Sequence, residues 1–201
     1  MADIEKTVTG SFQSSFADDT TLSHRISKSE DVVQLQANIQ RVFHWADTNN
    51  MQFNEDKFEI MRLGPNTELI HSTELLTKTQ QPIPPSNAVK CLCILMDNDA
   101  TFQQHIKDTA TRARRMVGWV LRTFHSREQE VMLTLWKTLI QPILDHCSQL
   151  WSPHKQGDMQ ELESVQRSFT RSINGMRELN YWQSLQKLGL YSQRRRERDI
   201  E

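Results

Sequence analysis

The chain reads as an α+β protein in two parts. A small antiparallel sheet with a helix packed behind it runs to about residue 98, and an all-α bundle occupies 99–201. Three observations carry this. Short apolar runs bracket an acidic pair near the N-terminus, apolar residues recur at helical spacing from Val32 to Ala46, and a longer stripe of the same period runs from Phe102 to Phe124. Strands gathered early and helices gathered late are the pattern of an α+β arrangement.

The first element is a β-hairpin. Val8, Phe12 and Phe16 precede Asp18-Asp19, and Leu22 and Ile26 follow, so the acidic pair sits at the hairpin tip. Ser27-x-x-Glu30 then has the form of a capping box opening a helix, along which Val32, Leu35, Ile39, Val42, Phe43 and Ala46 mark one face. Asn49-Asn50 is its stop. Met51–Phe53 and Lys57–Leu63 read as strands ending at Gly64-Pro65-Asn66. Residues 67–87 form a weak hairpin or loop closed by Pro82, Pro84 and Pro85, and Ala88–Met96 is a buried strand before the turn Asp97-Asn98-Asp99.

The second part is helical. Phe102, Ile106, Ala110, Ala113, Val117, Val120, Leu121 and Phe124 make a stripe that leaves Arg112, Arg114 and Arg115 off it. Ser126 with Gln129 opens a second helix that runs through Val131, Leu135 and Leu139 to Pro142, where the missing N–H and the ring clash should end it. Asp158-x-x-Glu161 opens a third, with Leu162, Val165, Phe169 and Ile173 inward and Asn174-Gly175 as its end. Trp119, Trp136, Trp151 and Trp182 are expected to fill this bundle.

Composition narrows the class. Apolar residues make up 37% and charged residues 24%, which suits a water-soluble chain with wet helices. No apolar run approaches the roughly 18 residues of a membrane span, and the start lacks the features of a secretory leader. The three cysteines, Cys91, Cys93 and Cys147, cannot all pair, which points to a reducing compartment inside the cell, nucleus or cytoplasm. The net charge of −1 hides a split: residues 1–100 hold 8 Lys/Arg against 14 Asp/Glu, and residues 101–201 hold 16 against 11. An acidic half with oxygen ligands before a basic helical half suits a polyanion held near a divalent cation, although ordinary solvated helix surface gives the same count.

The stretch Phe16-Ala17-Asp18-Asp19 on a hairpin resembles the catalytic palm motif of non-LTR (LINE-like, jockey-type) retrotransposon reverse transcriptases. Further segments follow in that family's order: Trp45-Ala46-Asp47-Thr48-Asn49-Asn50-Met51-Gln52-Phe53-Asn54 with Lys57-Phe58; Gly118 to Phe124; Gln149-Leu150-Trp151-Ser152-Pro153-His154; Val165 to Thr170; Leu190-Tyr191-Ser192; and Arg194-Arg195-Arg196-Glu197-Arg198. The resemblance implies an RNA-directed DNA polymerase with a partial palm at 1–98, carrying the hairpin, and a thumb-like helical region at 99–201. The fingers, the upstream palm with its further carboxylate, and the endonuclease region of the full element would lie outside these residues.

The same resemblance implies the site. Asp18 and Asp19 would hold Mg²⁺, or Mn²⁺, while a primer 3′-hydroxyl attacks the α-phosphate of a deoxynucleotide. Lys57 would face the nucleotide's phosphates. Arg112, Arg115, Arg167, Arg171, Arg194, Arg195 and Arg196 would contact the phosphates of the RNA template–DNA primer duplex, positioning it without reading its sequence. Leu92-Cys93-Ile94 stands where the family usually has Leu-Gly-Val, in the strand that grips the primer end. Two other readings stand beside the enzyme: a catalytically inactive remnant that binds RNA or RNA–DNA duplex, and a helical protein-interaction module.

Overall fold

The computed structural model describes residues 7–64 and 73–193. They are α+β, in two compact units that divide between Val89 and Lys90. In the first unit, β1 (Phe12–Phe16) and β2 (Asp19–Ser23) form an antiparallel hairpin in which Phe16 faces Asp19 and Gln13 faces Leu22. Only Ala17 and Asp18 connect the strands, and Ala17 sits in the left-handed region at φ 51°, the positive φ that tight hairpin turns require.

Helix α1 (Ser29–Thr48) buries Ile39, Val42, Phe43 and Ala46, as its apolar spacing requires. Its start differs from the Ser27–Glu30 box. The N-cap is Lys28, whose side chain has no acceptor, and Asp31 closes the turn by accepting the Ser27 and Lys28 N–H groups at 2.7 and 2.8 Å. Those two bonds hold the Asp31 carboxyl below the usual carboxylate range. Against α1 pack Phe53 and Phe58, with Phe58 stacked on Phe43 at 5.3 Å and Phe53 edge-on to both. Leu75 and Ile83 complete this core, and Leu22 brings the hairpin to it.

The segment 51–63 is less regular than its alternation suggests. Glu55–Lys57 is a 3₁₀ turn capped by Asn54, and β3 is only Ile60–Met61, paired in parallel with β4 (Pro85–Ser86). Asn54 outcompetes the strand because its side chain accepts the Asp56 N–H at 3.1 Å. Ala88–Met96 is likewise not one strand. It folds as a hairpin of β5 (Ala88–Cys91) and β6 (Ile94–Asp97), with Leu92 and Cys93 at φ 46° and 70°. Among the described residues the strands form two-stranded pairs and no larger sheet.

In the second unit, α2 (Gln103–Thr123) crosses the bundle with Ile106, Ala110, Ala113, Val117 and Val120 buried. Arg127 ties off its end by donating to the carbonyls of Leu121 (2.7 Å) and Phe124, cationic capping of orphan carbonyls. Helix α3 (Gln129–Leu135) does not stop at Pro142. It widens into a π-helical stretch, Trp136–Ile140, and continues as α4 (Gln141–Asp145). The wider turn admits a residue that cannot donate. After α5 (Ser148–Trp151), α6 (Gln156–Thr170) lies against α2, and α7 (Tyr181–Leu188) closes the unit. Helix α6 begins two residues before Asp158, which is buried in its first turn and not its N-cap.

The tryptophans divide. Trp136 and Trp151 are buried, with Trp136 on Phe169 at 5.1 Å and the Trp151 indole donating to the His146 carbonyl. Trp119 and Trp182 are 46% and 64% exposed, so two of the four lie outside the core.

Candidate functional site

The acidic hairpin is held from its base. Asn38, fully buried on α1, donates to the Thr9 carbonyl at 2.8 Å and to Ser11 Oγ at 2.7 Å, and its Oδ1 accepts the Thr9 N–H at 3.3 Å and Arg41 at 2.8 Å. Ser11 Oγ also meets His24 Nδ1 at 2.7 Å, fastening the two ends of the hairpin together. Near the tip Ser15 and Thr20 join hydroxyls at 3.2 Å. Sequence periodicity hides Asn38, a polar residue next to Ile39 in an apolar stripe.

Asp18 occupies the turn and Asp19 opens β2. Both are exposed, and no hydrogen bond or ion pair among the described residues engages either carboxylate. Through the pairing of Phe16 with Asp19, Asp19 shares the outer face of the hairpin with Phe12 and Phe16, which are 72% and 65% exposed. Two carboxylate groups are a donor set that fits Mg²⁺, which takes one or two carboxylates and completes its shell with water and phosphate oxygens. Among the described residues no group of three or more His, Cys, Asp or Glu side chains converges, so the pair has no third acidic partner there.

Lys57 ends the 3₁₀ turn and is exposed, and no ion pair or hydrogen bond among the described residues joins its side chain to Asp18 or Asp19. Its turn is anchored through Glu55, which accepts the Thr79 hydroxyl at 2.5 Å. The Thr77 and Thr79 hydroxyls hold the Glu55 carboxyl below its usual range. Lys78 pairs with Asp47 at 2.6 Å alongside.

The arginines fall into separate sets. Arg112 and Arg115, one turn apart on α2, are exposed. Arg112 makes an exposed pair with Asp108 (3.1 Å) and donates to the Thr109 hydroxyl (3.1 Å). Arg114 bridges to α6 through Glu161 (3.1 Å) and Ser164 (2.8 Å). Arg167 and Arg171 come together in a shallow groove of about 640 Å³ lined by Ser164, Arg167, Ser168, Arg171, Ser172 and Arg177. Arg177 is an addition to the arginines that the sequence singled out. Spacing signals only the α6 part of the groove, since Ser164, Arg167, Ser168 and Arg171 fall at i, i+3, i+4 and i+7 on one helix face, and Arg177 lies beyond that helix. Arg194, Arg195 and Arg196 lie outside the described residues.

The chain is similar to a probable RNA-directed DNA polymerase from transposon X-element of Drosophila melanogaster. It is 26% identical over 174 residues, covering 82% of this chain and 18% of that protein. The chain therefore spans less than a fifth of the curated relative it matches. No family model and no solved structure matches it. The relative supports the non-LTR reverse transcriptase resemblance that the Phe-Ala-Asp-Asp hairpin and the motifs after it suggest. Among the described residues no helix is long and apolar enough to cross a membrane.

Proposed function

We propose that this chain is part of a non-LTR retrotransposon reverse transcriptase, its first unit carrying the tip of the polymerase palm and its second the thumb. The observation that carries the reading is the Asp18-Asp19 pair, exposed at a two-residue hairpin tip and anchored to a helix by Asn38. Its support outside the chain is the likeness to the X-element polymerase. A divalent metal at such a pair, Mg²⁺ or Mn²⁺, supplies charge neutralisation between an attacking hydroxyl and a departing pyrophosphate.

The chain's own residues have distinct tasks in this reading. Asp18 and Asp19 present the oxygen ligands, and the left-handed Ala17 lets the turn hold both carboxylates forward. Lys57 meets the phosphates of an incoming deoxynucleotide, where a fixed cation lowers the cost of developing negative charge. Arg112, Arg115, Arg167 and Arg171 hold the sugar–phosphate backbone of an RNA–DNA hybrid, with Arg194, Arg195 and Arg196 in the same role.

A second reading, a non-catalytic nucleic-acid binder, is favoured by the cationic groove on α6, which is built entirely within the second unit and without either carboxylate. One experiment separates the two. The 201-residue chain is titrated onto a labelled RNA–DNA hybrid across a salt series, and Mg²⁺ and deoxynucleotides are then added. Primer extension that disappears in Asp18→Ala supports the enzyme. Salt-sensitive binding without extension leaves the binder, and salt-insensitive failure to bind removes both.

A further inference from the structure

The groove on α6 has a feature that duplex binding does not use. Its cations are continuous with an aromatic shelf. The Arg167 guanidinium lies 4.8 Å over the ring of Tyr181, and Tyr181 meets the indole of Trp182 at 5.2 Å with the rings tilted by 55°. Tyr181 is fixed from its other end by a hydrogen bond from its hydroxyl to the Glu163 carboxylate. Burial, and then this carboxylate, push the phenol up, so it stays protonated and adds no negative charge beside the groove. Trp182 itself is 64% exposed on α7.

The cations are available. Among the described residues no ion pair engages Arg167, Arg171 or Arg177. Lys187 Nζ lies 3.8 Å from where a β-carbon at Gly175, two residues before Arg177, would be. The acids nearby in sequence are Glu161, paired with Arg114, Glu163, committed to Tyr181, and Glu178 beside Arg177. Arg167 and Arg171 stand one helical turn apart, about 6 Å along the axis, on the scale of neighbouring phosphates of one strand. Ser168 lies between them, whereas Ser164 and Ser172 donate their hydroxyls to the carbonyls of Glu161 (2.7 Å) and Phe169 (2.6 Å).

We infer that the Ser/Arg groove of α6 and the exposed Trp182 together bind single-stranded nucleic acid, phosphates against Arg167, Arg171 and Arg177 and an unpaired base on the Trp182 indole. This rests on the nucleic-acid reading of Arg167 and Arg171 and goes beyond it in strandedness and in adding Arg177 and Trp182. The reason is geometric. A paired base has both faces covered by its neighbours, whereas an unpaired one offers a free face, and a cationic track beside an aromatic platform is how proteins hold single strands without sequence preference.

The test is fluorescence anisotropy of the full 201-residue chain with a labelled single strand of about 12 nucleotides and, separately, with a blunt RNA–DNA hybrid, each across a salt series. Trp182→Ala should weaken single-strand binding about tenfold without altering the salt slope or the affinity for hybrid, and Trp182→Phe should retain most of the binding. Arg177→Ala should weaken single-strand binding and flatten its salt slope by about 0.7. Circular dichroism should be unchanged, because Trp182 and Arg177 are both exposed. Hybrid binding weakened by Arg177→Ala, with both ligands indifferent to Trp182→Ala, would overturn this inference while leaving the proposed function standing. Inorganic polyphosphate bound as tightly as the single strand, again indifferent to Trp182, would reduce the groove to a charge patch and also overturn it. Binding of neither nucleic acid at low salt would remove the inference and the proposed function together.

Discussion

The Nδ1 atom of His105, on α2, accepts the backbone N–H of Leu95 in β6 at 3.2 Å. The imidazole is buried, its Nε2 lies 3.4 Å from the Thr109 hydroxyl, and its ring stands edge-on to Trp151 at 5.1 Å. An accepting Nδ1 requires the neutral ring, so protonation would break the link between the β5/β6 hairpin and the first turn of α2. Burial, with the Arg112 charge next, holds this histidine below its ordinary value of 6.5 despite the nearby Asp108. With the folded value depressed, the stabilisation is fully present above pH 6.5 and is lost as pH falls through the folded value. The thermal midpoint should therefore drop between pH 7 and pH 5 in the native chain. In His105→Asn, whose amide oxygen can still accept from Leu95, it should stay nearly flat. The carboxyls held low, Asp31, Glu55 and Asp99, act only below their ordinary values of 3.8 to 4.5, outside this window. Equal slopes in the two proteins would remove His105 as the cause.

At the tip of the same hairpin, Cys93 carries a φ of 70° and is exposed. A residue with a β-carbon held in the left-handed region costs about 1 kcal/mol or more, and glycine adopts that conformation freely. The family resemblance has glycine at this position. Cys93→Gly should therefore raise stability by about 1 kcal/mol in denaturant titration, while Cys93→Ala should leave it near the native value. A less stable glycine variant would mean that the cysteine side chain contributes something that the backbone geometry does not reveal.

The hairpin also explains where sequence legibility ends. Periodicity located α1, α2 and α6 because each buries one continuous apolar face. It read Ala88–Met96 as one strand because Leu92-Cys93 carries none of the Asn-Gly chemistry that announces a two-residue turn. Pro142 misled in the opposite direction: a π-helical widening absorbs the proline inside a continuing helix, and no spacing rule signals that. The capping box of α7 lies in Asn180 and Gln183, with Gly189 at φ 63° closing the helix, yet the helix is only eight residues long, too short for its apolar spacing to repeat. Of the candidate site, the acidic tip was written in four consecutive residues. The cationic groove was not, since Arg177 joins Arg167 and Arg171 only through the turn after α6.

Gln13 offers a test of the hairpin's inner face. Its side-chain Nε2 and Oε1 are buried and have no hydrogen-bond partner among the described residues, and across the strands it faces Leu22. A buried amide without partners costs about 1–3 kcal/mol, whereas a leucine of similar volume would pack on Leu22. Gln13→Leu should raise the denaturation midpoint of the chain and slow amide exchange in residues 12–23. Loss of stability would show that the amide is solvated at this position.

Asn38 should govern the acidic tip without touching it. Its amide satisfies both backbone groups of Thr9 and the Ser11 hydroxyl, so Asn38→Ala leaves these groups unpaired against a buried helix face, at about 2–3 kcal/mol. Asn38→Asp keeps the oxygen that accepts from Thr9 and Arg41 but loses both donated bonds, and it buries a charge beside Arg41. The loss should be local. Hydrogen exchange should accelerate in residues 9–23 by roughly ten- to a hundredfold, following the free energy of local opening, while the amides of α2 and α6 keep their protection. If protection fell equally in both units, Asn38 would be a general core contact, and its link to the placement of Asp18 and Asp19 would be lost. If only the hairpin loosened, any divalent-dependent activity of the chain should fall with it, since the carboxylates would no longer be held at a fixed distance from α1.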